Sequence, residues 1–90
     1  MLAPMYTGSF KKDRRLMKKR GKNMDGLTEV MRLLVNEQPL LPKHENHPLR
    51  GNFKGKWECH VEPDWLLVYR VDKATRQVVF YRTGTHSDLF

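Results

Sequence analysis

The segment Trp65-Leu66-Leu67-Val68-Tyr69-Arg70-Val71 admits few placements in a folded chain. It is almost wholly apolar and lies between the turn sequences Glu62-Pro63-Asp64 and Asp72-Lys73-Ala74-Thr75-Arg76. A short apolar run bounded in this way reads as a strand, and a strand without polar alternation needs cover on both faces. The segment therefore predicts a sheet with itself inside, flanked by strands that do alternate. Lys56 to Glu62 is one such flank: Trp57, Cys59 and Val61 face one way, and Glu58, His60 and Glu62 the other. Gln77 to Thr83 is the second, with Val79 and Tyr81 opposite Val78, Phe80 and Arg82. Asp88-Leu89-Phe90 follows the breaker Gly84-Thr85-His86-Ser87 and suits a last helical turn.

The N-terminal half reads differently. Leu2 to Tyr6 suits a strand, and Pro4 confines it to an edge or to its own start. Thr7-Gly8-Ser9 offers N-cap chemistry for a helix from Phe10 to Arg20, with Gly21 placed to end it. From Asn23 to Asn36 a second helix carries Leu27, Val30, Met31, Leu34 and Val35 on one stripe. Pro39 and Pro42 then open a polar connection, reaching Asn52, that contains His44 and His47. The expectation is an α+β fold: one domain over residues 1–90, its two N-terminal helices packed on an antiparallel sheet.

Seventeen lysines and arginines face ten acids, a net charge of +7 on 90 residues. Such a balance favours a polyanionic partner. The first helix concentrates it: Lys11, Lys12, Arg14, Arg15, Lys18, Lys19 and Arg20 stand against Asp13 alone. Like charges this dense repel one another, so a cationic arm for RNA backbone explains them better than a plain solvated face. Cys59 is the only cysteine, which excludes an internal disulfide, and it should be buried and inert. No apolar run is long enough to span a membrane, and residues 1–5 do not resemble a secretion signal. A cytoplasmic, membrane-free protein is expected.

Strand polarity gathers the polar chemistry. In an antiparallel meander the end of the first strand, the Pro63-Asp64 turn and the end of the third strand share one margin of the sheet. His60, Glu62, Asp64, Arg82 and His86 should meet there. Imidazoles titrate near neutrality and move protons either way, a carboxylate orients them, and a guanidinium grips phosphate. This set suits RNA cleavage by a ribose 2′-hydroxyl without a cofactor. His44-x-x-His47 is not a zinc pattern, and Cys59 lies on the strand face opposite His60, so no metal is expected.

Several short motifs occur in one order: His47-Pro48-Leu49-x-Gly51, Lys54-Gly55, His60-Val61-Glu62-Pro63-Asp64-Trp65, Tyr69, Arg82-Thr83-Gly84-Thr85-His86 and Leu89-Phe90. Together they resemble the YafQ branch of the RelE/ParE toxins, over about half the chain. The resemblance implies a microbial-ribonuclease-like fold with a curved sheet. It implies an endoribonuclease acting on mRNA in the ribosomal A site, and a toxin, monomeric when alone, held by a DinJ- or RelB-like antitoxin. By it, His47, His60, Asp64 and His86 are the catalytic positions. Arg82, Phe90 and Lys54, with Lys11, Lys12 and Arg15 of the first helix, are the contacts to RNA. A ribosome-independent ribonuclease and a non-catalytic, ParE-like gyrase-binding toxin are the competing readings.

Overall fold

The computed structural model describes all 90 residues. Its secondary structure runs β1 (Ala3–Tyr6), α1 (Gly8–Lys19), α2 (Met24–Val35), β2 (His47–Pro48), β3 (Trp57–Glu62), β4 (Trp65–Asp72), β5 (Gln77–Gly84) and α3 (His86–Leu89). Short 3-10 turns at Pro42–His44 and Gly51–Phe53 punctuate the connection from α2 to β3. The five strands form one sheet in the order β1-β5-β4-β3-β2, so the apolar strand β4 is central. Residues Trp65 to Tyr69 are all buried. Trp65, Leu67 and Tyr69 join Val78 and Phe80 against Phe10 and Met17 of α1 and Leu27, Val30 and Leu34 of α2. Trp57, at the start of β3, stays 39% exposed in a groove beside the C-terminal end of α2.

The helices begin and end where their cap chemistry dictates. The Thr7 hydroxyl accepts the Phe10 N–H at 3.0 Å and donates to the Tyr81 carbonyl at 2.8 Å, tying the start of α1 to β5. Gly21, at φ +80°, turns the chain out of α1, and Lys22 N–H reaches back to the Met17 carbonyl at 3.1 Å. Asn23 caps α2 by accepting the Asp25 N–H at 3.1 Å. No helix is long and apolar enough to cross a membrane.

Three features depart from the expected meander. First, β1 pairs with β5 in parallel, so the sheet is mixed, although every other pairing is antiparallel. Residue alternation carries no direction. Stacking of Tyr6 on Phe10 and on Phe80, each at 5.8 Å between centroids, helps hold β1 in that orientation. Second, the polar connection contains β2, whose two residues are too short for any periodicity to reveal. Third, both ladders of β4 are irregular, between His60 and Glu62 of β3 and between Val68 and Tyr69 of β4. Each irregularity changes which residues share a face.

Candidate active site

The face of the sheet away from the main core carries the chemistry. His47 lies opposite Glu58, Glu58 opposite Val68, and Val68 opposite Arg82, which makes one row across four strands. His60, Leu66 and Gly84 form the next row. The fully buried Leu66 and Val68 thus floor a surface rimmed by His47, Glu58 and His60.

Around that floor the polar side chains form a string. Asp64 Oδ1 lies 2.6 Å from His86 Nδ1 and also accepts the His86 backbone N–H at 3.0 Å. These two contacts, the backbone N–H first and the imidazole second, hold the Asp64 carboxyl below its usual range. The His86 ring meets the His60 ring at 5.8 Å between centroids, inclined at 65°. His60 Nδ1 faces the Pro63 carbonyl at 3.2 Å and Glu45 at 3.5 Å, while its Nε2 lies 3.9 Å from Glu58. The other oxygen of Glu58 stands 3.7 Å from His47 Nε2. Exposure differs along the string: the Glu58 and His60 side chains are 7% and 14% exposed, whereas those of His86 and Asp64 are 54% and 65%. His86 and Asp64 therefore stand at the solvent edge, and His60 and Glu58 behind them.

His60, Asp64 and His86, expected together from strand polarity, do meet. His47 joins them through β2, by a pairing the residues alone did not reveal. Glu62 does not join. The irregularity after His60 sets it opposite Trp65 instead of alternating with His60, and its carboxylate faces Lys22 at 3.5 Å. Arg82 lies in the expected row, but Asp13 holds its guanidinium through Nε at 2.6 Å and Nη2 at 3.2 Å, leaving Nη1 outside the pair. Phe90 is 59% exposed and rests edge-on against Phe53 at 5.3 Å. Lys54 is exposed on the loop after the second 3-10 turn, and Lys11, Lys12 and Arg15 are exposed on α1 without carboxylate partners.

Glu58 and Glu45 were not singled out as site residues. Alternation did put Glu58 on the face of His60, and that was the available signal. Glu45 comes to the site from an irregular segment with φ +44°, which leaves no periodic trace. His47, Glu58 and His60 offer ligand atoms all within 4.8 Å of one another, a geometry that fits a cation although no linear spacing announces it. The remaining histidine, His44, is buried, with Nδ1 accepting the Leu41 N–H at 3.2 Å, and is structural.

Fold and site together define a small basic α+β protein that gathers imidazoles and carboxylates on one face of its sheet. Residues 2–90 match the family described as the bacterial toxin of type II toxin-antitoxin systems, YafQ, and the chain belongs to that family. It is 47% identical over 87 residues to the mRNA interferase toxin YafQ of Escherichia coli K12, covering 94% of this chain and 91% of that one. The crystal structure of the E. coli DinJ-YafQ complex superposes with a TM-score of 0.92 at 42% identity, over 100% of this chain and 99% of that one. A metal-bound toxin from Helicobacter pylori superposes with a TM-score of 0.94 at 41% identity, over the whole of both chains.

Proposed function

We propose that this toxin cuts mRNA by acid–base catalysis at His60 and His86, with Asp64 fixing the tautomer of His86. Its family makes it the toxin of a type II system, and the named E. coli relative makes it an mRNA interferase, an endoribonuclease. The observation that carries the catalytic reading is the 2.6 Å contact between Asp64 and His86 beside the His60 ring. Held ionised, Asp64 can only accept, so the proton sits on His86 Nδ1 and Nε2 is the end offered to RNA. A 2′-hydroxyl attacking its own phosphate needs a base at the hydroxyl and an acid at the departing 5′-oxygen. His60 and His86 supply one role each, and His47 contacts phosphate or shares the proton transfer.

Charge on the phosphorane is met by the imidazolium, by the free Nη1 of Arg82 and by Lys54, while Lys11, Lys12 and Arg15 track the RNA backbone. Phe90 presents an open aromatic face for an unstacked base. The substrate is mRNA in the ribosomal A site of the cytoplasm, and a DinJ-like antitoxin covers the basic surface until it is lost. Expression of the toxin alone should arrest growth, and His86→Ala should relieve the arrest. A folded His86→Ala protein that stays fully toxic overturns the assignment. Mapping cuts with and without ribosomes tests the A-site reading: cleavage of naked mRNA at the same sites removes the ribosome from it.

A second ligand is favoured by the His47–Glu58–His60 trio and by the metal-bound H. pylori relative. A transition metal held there by two imidazoles and a carboxylate would occupy His60 and suppress cleavage. Copper or zinc should then inhibit and a chelator should restore activity. Inhibition that persists unchanged in Glu58→Gln argues against this site.

A further inference from the structure

The third helix is four residues long, far too short to hold its own shape. Yet it begins with His86. What fixes it comes from elsewhere in the chain. Arg20, the C-cap residue of α1, donates to both oxygens of Asp88, at 2.6 Å from Nη1 and 3.0 Å from Nη2. Asp88 in turn accepts the Thr85 N–H at 2.9 Å, and Thr85 Oγ1 accepts the Asp88 N–H at 3.2 Å. The guanidinium of α1 is thereby locked to the carboxylate that closes the turn on which His86 stands. Arg20 first, and the Thr85 N–H second, pull the Asp88 carboxyl far below its usual range.

Two further observations point the same way. A Cβ at Gly84 would lie 2.9 Å from Asp88 Cβ, so the strand end is shaped to let Asp88 sit against it. Two turns earlier on α1, Asp13 grips Arg82 and also accepts the Thr83 N–H at 3.2 Å. Asp13 and Arg20 are seven residues apart and share one face of the helix. They bracket the chain from Arg82 to Asp88, with His86 between the two anchors.

We propose that Arg20 and Asp88 are a positioning pair through which α1 aims the imidazole of His86, and that Arg20 is not part of the RNA-binding surface. The proposal rests on His86 being catalytic, as argued above. A displaced general acid or base loses rate without losing substrate affinity, because proton transfer depends on ångström-scale placement. An RNA-binding arginine would show the opposite pattern.

The test is steady-state cleavage by Arg20→Gln, Arg20→Lys, Asp88→Asn and His86→Gln, with mRNA-programmed ribosomes as substrate. Arg20→Gln and Asp88→Asn should lower kcat by about ten- to a hundredfold with KM changed by less than about twofold. Arg20→Lys, which keeps the charge but not the two-pronged grip, should recover only part of the loss. The His86 ring resonance should shift or broaden in Arg20→Gln, while that of buried His44, held by the Leu41 N–H, stays put. Asp88→Asn retains an acceptor for the Thr85 N–H and provides a folded variant should Arg20→Gln unfold. A raised KM at unchanged kcat in Arg20→Gln overturns the proposal, as does wild-type kcat in Asp88→Asn. Those results with His86→Gln inactive remove the clamp alone; an active His86→Gln removes the catalytic reading beneath it.

Discussion

The Nδ1 atom of His86 lies 2.6 Å from Asp64 Oδ1, and the same oxygen accepts the His86 backbone N–H at 3.0 Å. One carboxylate oxygen therefore fixes both where the residue sits and which way its ring faces. Asp64→Asn keeps an acceptor for the backbone N–H but offers a neutral amide to the ring, so the tautomer is no longer enforced. Cleavage should fall by about a hundredfold, with circular dichroism and thermal midpoint unchanged. Because Asp64 stays ionised through the neutral range, limbs of the rate–pH profile between about pH 5 and 8 belong to imidazoles. Wild-type cleavage by folded Asp64→Asn would contradict this role for the carboxylate.

Much of this arrangement was legible in the residues because the site lies on short-range features of a meander. The apolar strand Trp65 to Val71 fixed the centre of the sheet, and the Pro63-Asp64 turn fixed which strand ends meet. His60, Asp64 and His86 followed from those two facts. Breaks in periodicity were not legible. The irregularity after His60 sent Glu62 to Lys22, and the two-residue strand at His47 brought that histidine to Glu58. Neither leaves a repeat to read. The charge of α1 was legible only in bulk. Its separate fates were set by side chains far away in sequence: Arg14 over the rings of Tyr6 and Phe10, Arg20 against Asp88, and Asp13 drawn to Arg82.

Thr83 links the core to the strand that leads into the site. Its hydroxyl accepts the Trp65 Nε1–H at 2.8 Å and donates to the Leu66 carbonyl at 2.7 Å, wholly buried. Thr83→Val keeps the shape and strands both partners without water. Each lost buried partner costs about 1–3 kcal/mol. The two together cost about 2–6 kcal/mol, and at roughly 4–8 °C per kcal/mol for a domain of this size Tm should fall by at least about 8 °C. Calorimetry checks it, and a Tm within about 2 °C of wild type would mean the two groups find other partners.

Cys59 is fully buried in the core, and burial first, with Glu58 second, pushes its thiol up to about 12. The thiolate that reacts with alkylating agents is thus almost absent at neutral pH. Iodoacetamide at pH 8 should leave the native protein unmodified over hours and label it stoichiometrically in denaturant, as read by intact mass. Rapid labelling of the native state would show that β3 opens far more often than a central packing position allows.

His44 makes stability depend on pH in a predictable direction. Burial lowers its pKa first and Lys43 second, while Glu29 on α2 acts against both. Its Nδ1 must stay unprotonated to accept the Leu41 N–H at 3.2 Å. The folded protein therefore takes up this proton less readily than the unfolded chain, whose histidine titrates near 6.5. Where the unfolded state binds the extra proton, stability rises with pH. The contribution is intact above about pH 6.5 and is lost as pH falls from there through the lowered folded value. Carboxylates held low by partners, Asp88 and Glu37 among them, add losses of the same sign only at more acid pH. Urea unfolding of wild type between pH 7 and 5 should show falling stability. His44→Asn, which keeps a polar acceptor without a titrating ring, should start less stable and show a flatter slope over that window. An equal slope in the two proteins would place the pH sensitivity in another histidine.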